Sequence, residues 1–282
     1  MRFGLNLLLW TDTLSDEFLP ILDDLKEIGY DAVELPVFGP DAAACAKWSK
    51  YLDGLGLART GTVVRGPDDN PISSDEKIRR AGIDANKKSL DECAALGCEV
   101  MAGPLHSALG CFSGKGPTAD EWRWGVESMR EVAEHAAEVN VTLGIEYLNR
   151  FECYFLNTAA DGARFVRDVD HPRCQMMFDT FHSHIEEKSI PDAIRALKDC
   201  LCHVHISEND RSTPGAGNVR WDQVYDTLSE IGYDGTMVVE AFGLALPNLV
   251  AATKIWRRMY KDEKQLAADA LSFMKSEVAK RN

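Results

Sequence analysis

The chain has 282 residues, a formal net charge of −14 and a hydrophobic fraction of 45%, which is ordinary for a globular protein and enough apolar material for a large core. That acidity argues against nucleic acid as a partner, because such binders neutralise phosphates with a basic stripe and no Lys/Arg-rich run is present. The apolar opening MRFGLNLLLW meets Asp12 with no small-residue cleavage site, and none of the eight cysteines forms a C-x-x-C pair, so the expectations are no signal peptide, no membrane association and a reduced, cytoplasmic setting.

Along the chain, short apolar runs alternate with longer amphipathic ones. Residues 2–10 form the first run, which lacks polar alternation, as a parallel strand covered on both faces does. A helix follows at 17–28, where Phe18, Leu19, Leu22, Leu25 and Ile28 recur at helical spacing and Gly29 supplies the stop. Further strands are expected at 31–38, 58–64, 99–106, 142–148, 174–180, 201–207 and 236–242. Helical patterns cover 119–139 and 221–231, with Gly232 ending the latter, and one or two final helices occupy 249–280. Ile28-Gly29-Tyr30-Asp31 returns as Ile231-Gly232-Tyr233-Asp234, which predicts the same helix-to-strand turn twice. Eight strand-then-helix units in a chain of this length predict an α/β fold, a single (β/α)8 TIM barrel formed as one domain over 1–282. The loops at 65–73 and 107–117 read as the longest and belong on its C-terminal face.

Four consecutive strands end in a residue able to hold a metal: Glu146, Asp179, His205 and Glu240, each after apolar residues and before a loop. In a barrel that rim carries the chemistry. The strand period of two puts His203 on the same face as His205, one layer deeper. Three carboxylates and an imidazole converging on one point repel each other unless a cation joins them. A donor set rich in oxygen with one nitrogen favours Mn²⁺, with Co²⁺ or Mg²⁺ as alternatives, over a structural zinc site. Glu34 faces the barrel axis if Ala32 does. Trp10 is read either as stacking on a ligand or as core, and for His106, Trp122 and Trp124 core or surface packing is favoured over a place in the wall of the site; His184 reads as a surface residue and Arg150 as a local ion-pair partner.

The segment Glu146-Tyr147-Leu148-Asn149-Arg150-Phe151-Glu152 resembles the E-P-L-N-R-F-E segment of the tagatose/psicose (allulose) 3-epimerases. Asp179-Thr180-Phe181-His182 resembles their D-x-x-H. His205-Ile206-Ser207-Glu208, with Arg211, Pro214 and Gly215, resembles their H-x-x-E-x-x-R-x-x-P-G region, and Glu240-Ala241-Phe242 resembles the last motif. The resemblance spans nearly the whole chain. It implies a metal held by Glu146, Asp179, His205 and Glu240, with Glu146 and Glu240 doubling as the catalytic acid/base pair. It also implies that Glu152, His182 and Arg211 bind the sugar. Tyr147, Cys153 and Ala241 depart from the family pattern.

The activity so implied is metal-dependent epimerisation of a ketose at C3, on D-fructose/D-allulose, D-tagatose or ribulose-type sugars, by two-glutamate proton transfer through a cis-enediolate in a homodimer or homotetramer. The alternatives on the same barrel are a related metal-dependent sugar or keto-acid isomerase, or an inositol or sugar dehydratase. A free ketose is expected rather than a sugar phosphate. No glycine-rich loop follows strand seven or eight, Glu208 would repel a phosphate, and Arg211 is the one basic residue read as nearby.

Overall fold

The computed structural model describes residues 1–281. In chain order the strands and helices are β1 (Arg2–Asn6), α1 (Leu19–Ile28), β2 (Ala32–Pro36), α2 (Ala42–Leu55), β3 (Ala58–Thr62), α3 (Glu76–Leu96), β4 (Val100–Gly103), α4 (Ala119–Glu138), β5 (Thr142–Ile145), α5 (Ala159–Val169), β6 (Cys174–Asp179), α6 (Thr180–Glu186), α7 (Ile190–Ala196), β7 (Leu201–Ile206), α8 (Trp221–Glu230), β8 (Thr236–Val239), α9 (Pro247–Thr253) and α10 (Glu263–Ala279). Every strand pairs in parallel with the next, and β1 pairs with β8, so the sheet closes into an eight-stranded barrel. No helix among the described residues is long and apolar enough to cross a membrane.

All eight expected strands form, but each stops earlier than its apolar run. The first run shows why. Asn6 accepts a hydrogen bond from the Leu8 amide and turns Leu7–Leu9 into a short 3-10 helix, so Trp10 stands beyond β1. A β-sheet needs a neighbour for each backbone group, and at the rim local side-chain caps replace it. Asp179 does the same at β6: its Oδ1 accepts from the amides of Phe181 and His182, which starts α6 where the sequence reading continued the strand to 180.

The repeated turn is real and its two copies differ in use. Gly29 (φ 105°) and Gly232 (φ 71°) both adopt the left-handed conformation that glycine permits. Tyr30 donates to the carbonyl of Ala267 on α10, whereas Tyr233 donates within its own turn to Thr236.

The β6–β7 register slips between Met176 and Met177. Leu201 pairs with Met176 and His203 with Met177, so Cys202 is the extra residue of a bulge. Bulges re-aim the side chains that follow them, and this one precedes both histidines of β7. The segments 146–158 and 207–220 match the two loops expected to be longest, and like them follow the C-terminal ends of strands.

Candidate active site

Glu146 directly follows β5 and its amide donates to Gly103 on β4. Glu240 directly follows β8 and its amide donates to Ile206 on β7. Asp179 is the last residue of β6 and His205 lies in β7, opposite it in register. Barrel closure thus brings the four strand-end residues to one rim, and all four are buried.

The Nδ1 atom of His205 lies 3.3 Å from Glu240 Oε1 and 3.5 Å from Asp179 Oδ2. It is buried and has no hydrogen-bond partner. Buried polar atoms are nearly always satisfied, so an orphaned nitrogen facing two carboxylates fits a ligand to a cation. Ligand atoms of Asp179, His205 and Glu240 lie within 4.8 Å of one another, as do those of Glu146, Asp179 and His182, with Asp179 common to both groups. The donor set suits a hard or borderline divalent ion.

Electrostatics agree. Arg211 reaches in from the loop after β7, with Nη1 3.1 Å from Asp179 Oδ2 and in contact with Glu240 Oε2. The carboxylates of Glu146, Asp179 and Glu240 share the site with this guanidinium and with His205. Burial, reinforced by Glu240 and Asp179, holds the Glu146 carboxyl well above the ordinary range. Burial would raise Glu240 too, but Arg211 and His205 outweigh it and hold that carboxyl low. A divalent cation relieves the repulsion.

Above this cluster opens a cavity of about 450 Å³, lined by Glu146, Glu240, Glu152, His182 and Arg211 together with Leu8, Thr62, Val64, Phe112, Phe151 and Phe242. All three residues expected to touch the sugar therefore border it. His182 is buried, and burial pushes its imidazole down to about 3, so the ring is neutral. The Asn149 amide donates to His182 Nδ1, and Nε2 lies 3.0 Å from Arg211 Nη2 and 3.5 Å from Glu146 Oε1 at the cavity wall. The Asn149 side chain donates to Glu152 Oε1 at 2.9 Å. Asn149 thus ties two cavity residues together, a role that no pattern in the chain announces.

The remaining residues singled out in the sequence divide between packing, as favoured for the aromatic ones, and roles other than those expected. His106, Trp122 and Trp124 do not border the cavity. His106 and Trp122 pack with Phe155 and Phe165, and Trp124 lies beneath Arg79 and Arg123. Trp10 packs against the core. Glu208 does not face the cavity: it is buried and accepts from the amides of Gly215 and Val219 and from Trp221 Nε1, pinning the loop that carries Arg211. Its charge is therefore committed to that loop. Lys254 also lines the cavity, so Arg211 is not the one basic residue there. His184 is exposed and Arg150 pairs with Glu186 at 2.8 Å, as expected. Tyr147, one of the departures from the family pattern, is buried edge-on against Phe178 and does not border the cavity.

A family model described as "Xylose isomerase-like TIM barrel" matches residues 22–277. The chain is 32% identical over 261 residues to a D-psicose 3-epimerase of Agrobacterium fabrum, covering 91% of this chain and 90% of the relative. It is 30% identical over 276 residues to an L-ribulose 3-epimerase of Mesorhizobium japonicum, covering 97% and 93%. A crystal structure of D-psicose 3-epimerase with D-tagatose from Clostridium cellulolyticum H10 superposes with a TM-score of 0.92 at 30% identity, covering 99% of each chain. The motifs at 146–152, 179–182, 205–215 and 240–242, the closed barrel and these similarities agree: the chain belongs to the ketose 3-epimerase family of xylose isomerase-like TIM barrels.

Proposed function

We propose that this protein is a divalent-metal-dependent ketose 3-epimerase acting on free ketoses of the D-fructose/D-allulose, D-tagatose or ribulose type, working in the cytoplasm as a homodimer or homotetramer. The observation that carries the reading is that Glu146 and Glu240, from strands three steps apart around the barrel, border the same cavity beside Asp179 and His205. The names of the relatives support the same chemistry for this chain.

Glu146, Asp179, His205 and Glu240 would hold the ion, Mn²⁺ in the first instance. When bound, it supplies Lewis-acid stabilisation of the charge that develops on the sugar oxygens, worth several kcal/mol. Epimerisation at C3 removes the proton beside the C2 carbonyl and returns one to the opposite face. That needs a base on each side of the sugar, and two carboxylates that border one cavity from strands three steps apart support that arrangement. A positioned acid or base contributes about 10²–10⁴-fold. His182, Arg211 and Glu152, at the wall of the cavity, orient the sugar's hydroxyls. The apolar side chains of the upper wall exclude water from the charge that forms below.

The test is incubation of the purified protein with Mn²⁺ and a panel of ketoses, read by chromatography. Conversion of fructose to allulose, or of another ketose to its C3 epimer, is the expected result. Conversion to an aldose, or loss of water from the sugar, would replace this reading with an isomerase or a dehydratase.

A further inference from the structure

Glu34 is fully buried in the barrel interior, and nothing in the proton transfer above uses it. It lies on β2 beside Asn6 of β1 and Thr60 of β3 in register. Asn6 Nδ2 donates to its Oε1 at 2.9 Å and Thr60 Oγ1 to its Oε2 at 2.8 Å. From β7, His205 Nε2 lies 2.7 Å from Oε1 and His203 Nε2 lies 2.8 Å from Oε2.

The two nitrogens of His205 therefore face opposite surroundings. Nε2 meets a carboxylate oxygen whose position is fixed from the other side by Asn6. Nδ1 meets Asp179 and Glu240 without a hydrogen bond. An ionised carboxylate only accepts, so the nitrogen that faces it carries the proton. As a ligand to a cation the imidazole is neutral and has one proton, so with that proton on Nε2 the Nδ1 atom offers its lone pair. We propose that Glu34 is a positioning residue, which fixes His205 as its Nε2–H tautomer and aims the Nδ1 lone pair at the cation site. This rests on the metal-site reading above. His203 Nε2, one layer deeper, stands beside the second oxygen of Glu34.

Partners that orient a ligating histidine in this way typically contribute 10- to 100-fold to metal affinity. The experiment compares wild type, Glu34→Gln and Thr60→Val by calorimetric titration with Mn²⁺ and by melting. Thr60→Val removes a donor from the same buried cluster without touching His205. Glu34→Gln should weaken Mn²⁺ binding by about 10- to 100-fold, while Thr60→Val lowers the melting temperature and leaves the affinity unchanged. Equal affinity of wild type and Glu34→Gln, or equal losses in both variants, overturns the proposal and leaves the metal site standing. Failure of the wild type to bind Mn²⁺ removes the metal site and this proposal together. Should Glu34→Gln not fold, ¹⁵N NMR of histidine-labelled wild type loaded with diamagnetic Zn²⁺ decides. A proton on His205 Nε2, slow to exchange with solvent, is expected, and coordination through Nε2 instead overturns the proposal.

Discussion

Arg211 Nη1 lies 3.1 Å from Asp179 Oδ2, and the residue that delivers it holds a left-handed backbone at φ 61°. A non-glycine residue in that region is held there by its surroundings, at a cost of order 1–3 kcal/mol. Here the restraints are the Glu208 clamp on the loop and the hydrogen bond from the Phe242 amide to the Arg211 carbonyl. The strain and the function can be separated by substitution. Arg211→Gly and Arg211→Ala should both lower kcat/KM by about 100-fold or more, through loss of a preorganised donor. Denaturant unfolding should find the glycine variant more stable than the alanine variant by about 1 kcal/mol. The reverse order would show that the left-handed turn is not strained.

Removing the metal should lower both activity and stability. An ion that binds only the folded state adds about 2.7 kcal/mol when present at a hundred times its dissociation constant. Dialysis against EDTA should therefore abolish epimerisation and lower the melting temperature, and Mn²⁺ should restore both. Full activity in excess chelator, with no metal found by elemental analysis, would refute the site.

Substituting either catalytic glutamate by glutamine keeps its size and one acceptor oxygen but removes the capacity to take a proton. With saturating Mn²⁺, Glu146→Gln and Glu240→Gln should each fail to interconvert the C3 epimers, with losses of about 10²-fold or more. Each should still exchange the C3 proton of one epimer with solvent deuterium, through the glutamate that remains. Deuterium wash-in followed by NMR reads this. Near-normal epimerisation by either metal-loaded variant would reassign the missing base.

His106 predicts an acid limb in folding stability. It is fully buried, neither ring nitrogen has a hydrogen-bond partner, and burial pushes its imidazole down from 6.5 to about 3. The unfolded chain takes up a proton below 6.5 while the folded one resists until about 3. Stability is therefore full above that window and falls as pH drops through it, by up to about 1.4 kcal/mol per pH unit. His106→Leu should flatten the decline between those values, measured by urea unfolding as a function of pH. An unchanged slope would show that His106 is protonated in the folded protein.

Gly103 closes β4 with φ 127°, and a Cβ there would stand 2.2 Å from the Val63 carbonyl oxygen. That neighbour is backbone and cannot step aside. Gly103→Ala should cost about 3 kcal/mol or more from the combined backbone and steric strain. Gly114→Ala serves as the comparison: it also has positive φ but has open space around it, so the strain of its turn is the only cost expected. Equal losses in denaturant melts would remove the steric argument.

Eight strands are legible along the chain, because strands covered on both faces leave continuous apolar runs. It also marked Glu146, Asp179, His205 and Glu240, because a polar residue ending such a run has only the rim to occupy. Glycine identified the repeated turn, since few other residues accept positive φ at that point. What the tertiary structure alone decided is which residues meet across the barrel. Glu34 reaches His205 because closure brings β2 and β7 to opposite sides of one interior, and the bulge at Cys202 sets how the β7 histidines enter it. Arg211 reaches Asp179 only because its loop turns back in a left-handed conformation that an arginine codon does not announce. Glu208 looked like part of the site from its place in the chain and proved to be the clamp of that loop. Periodicity is a property of neighbouring residues along the chain and can be read from it. A contact between distant strands depends on register, bulges and loop dihedrals, whose small local energies add up only in the closed barrel.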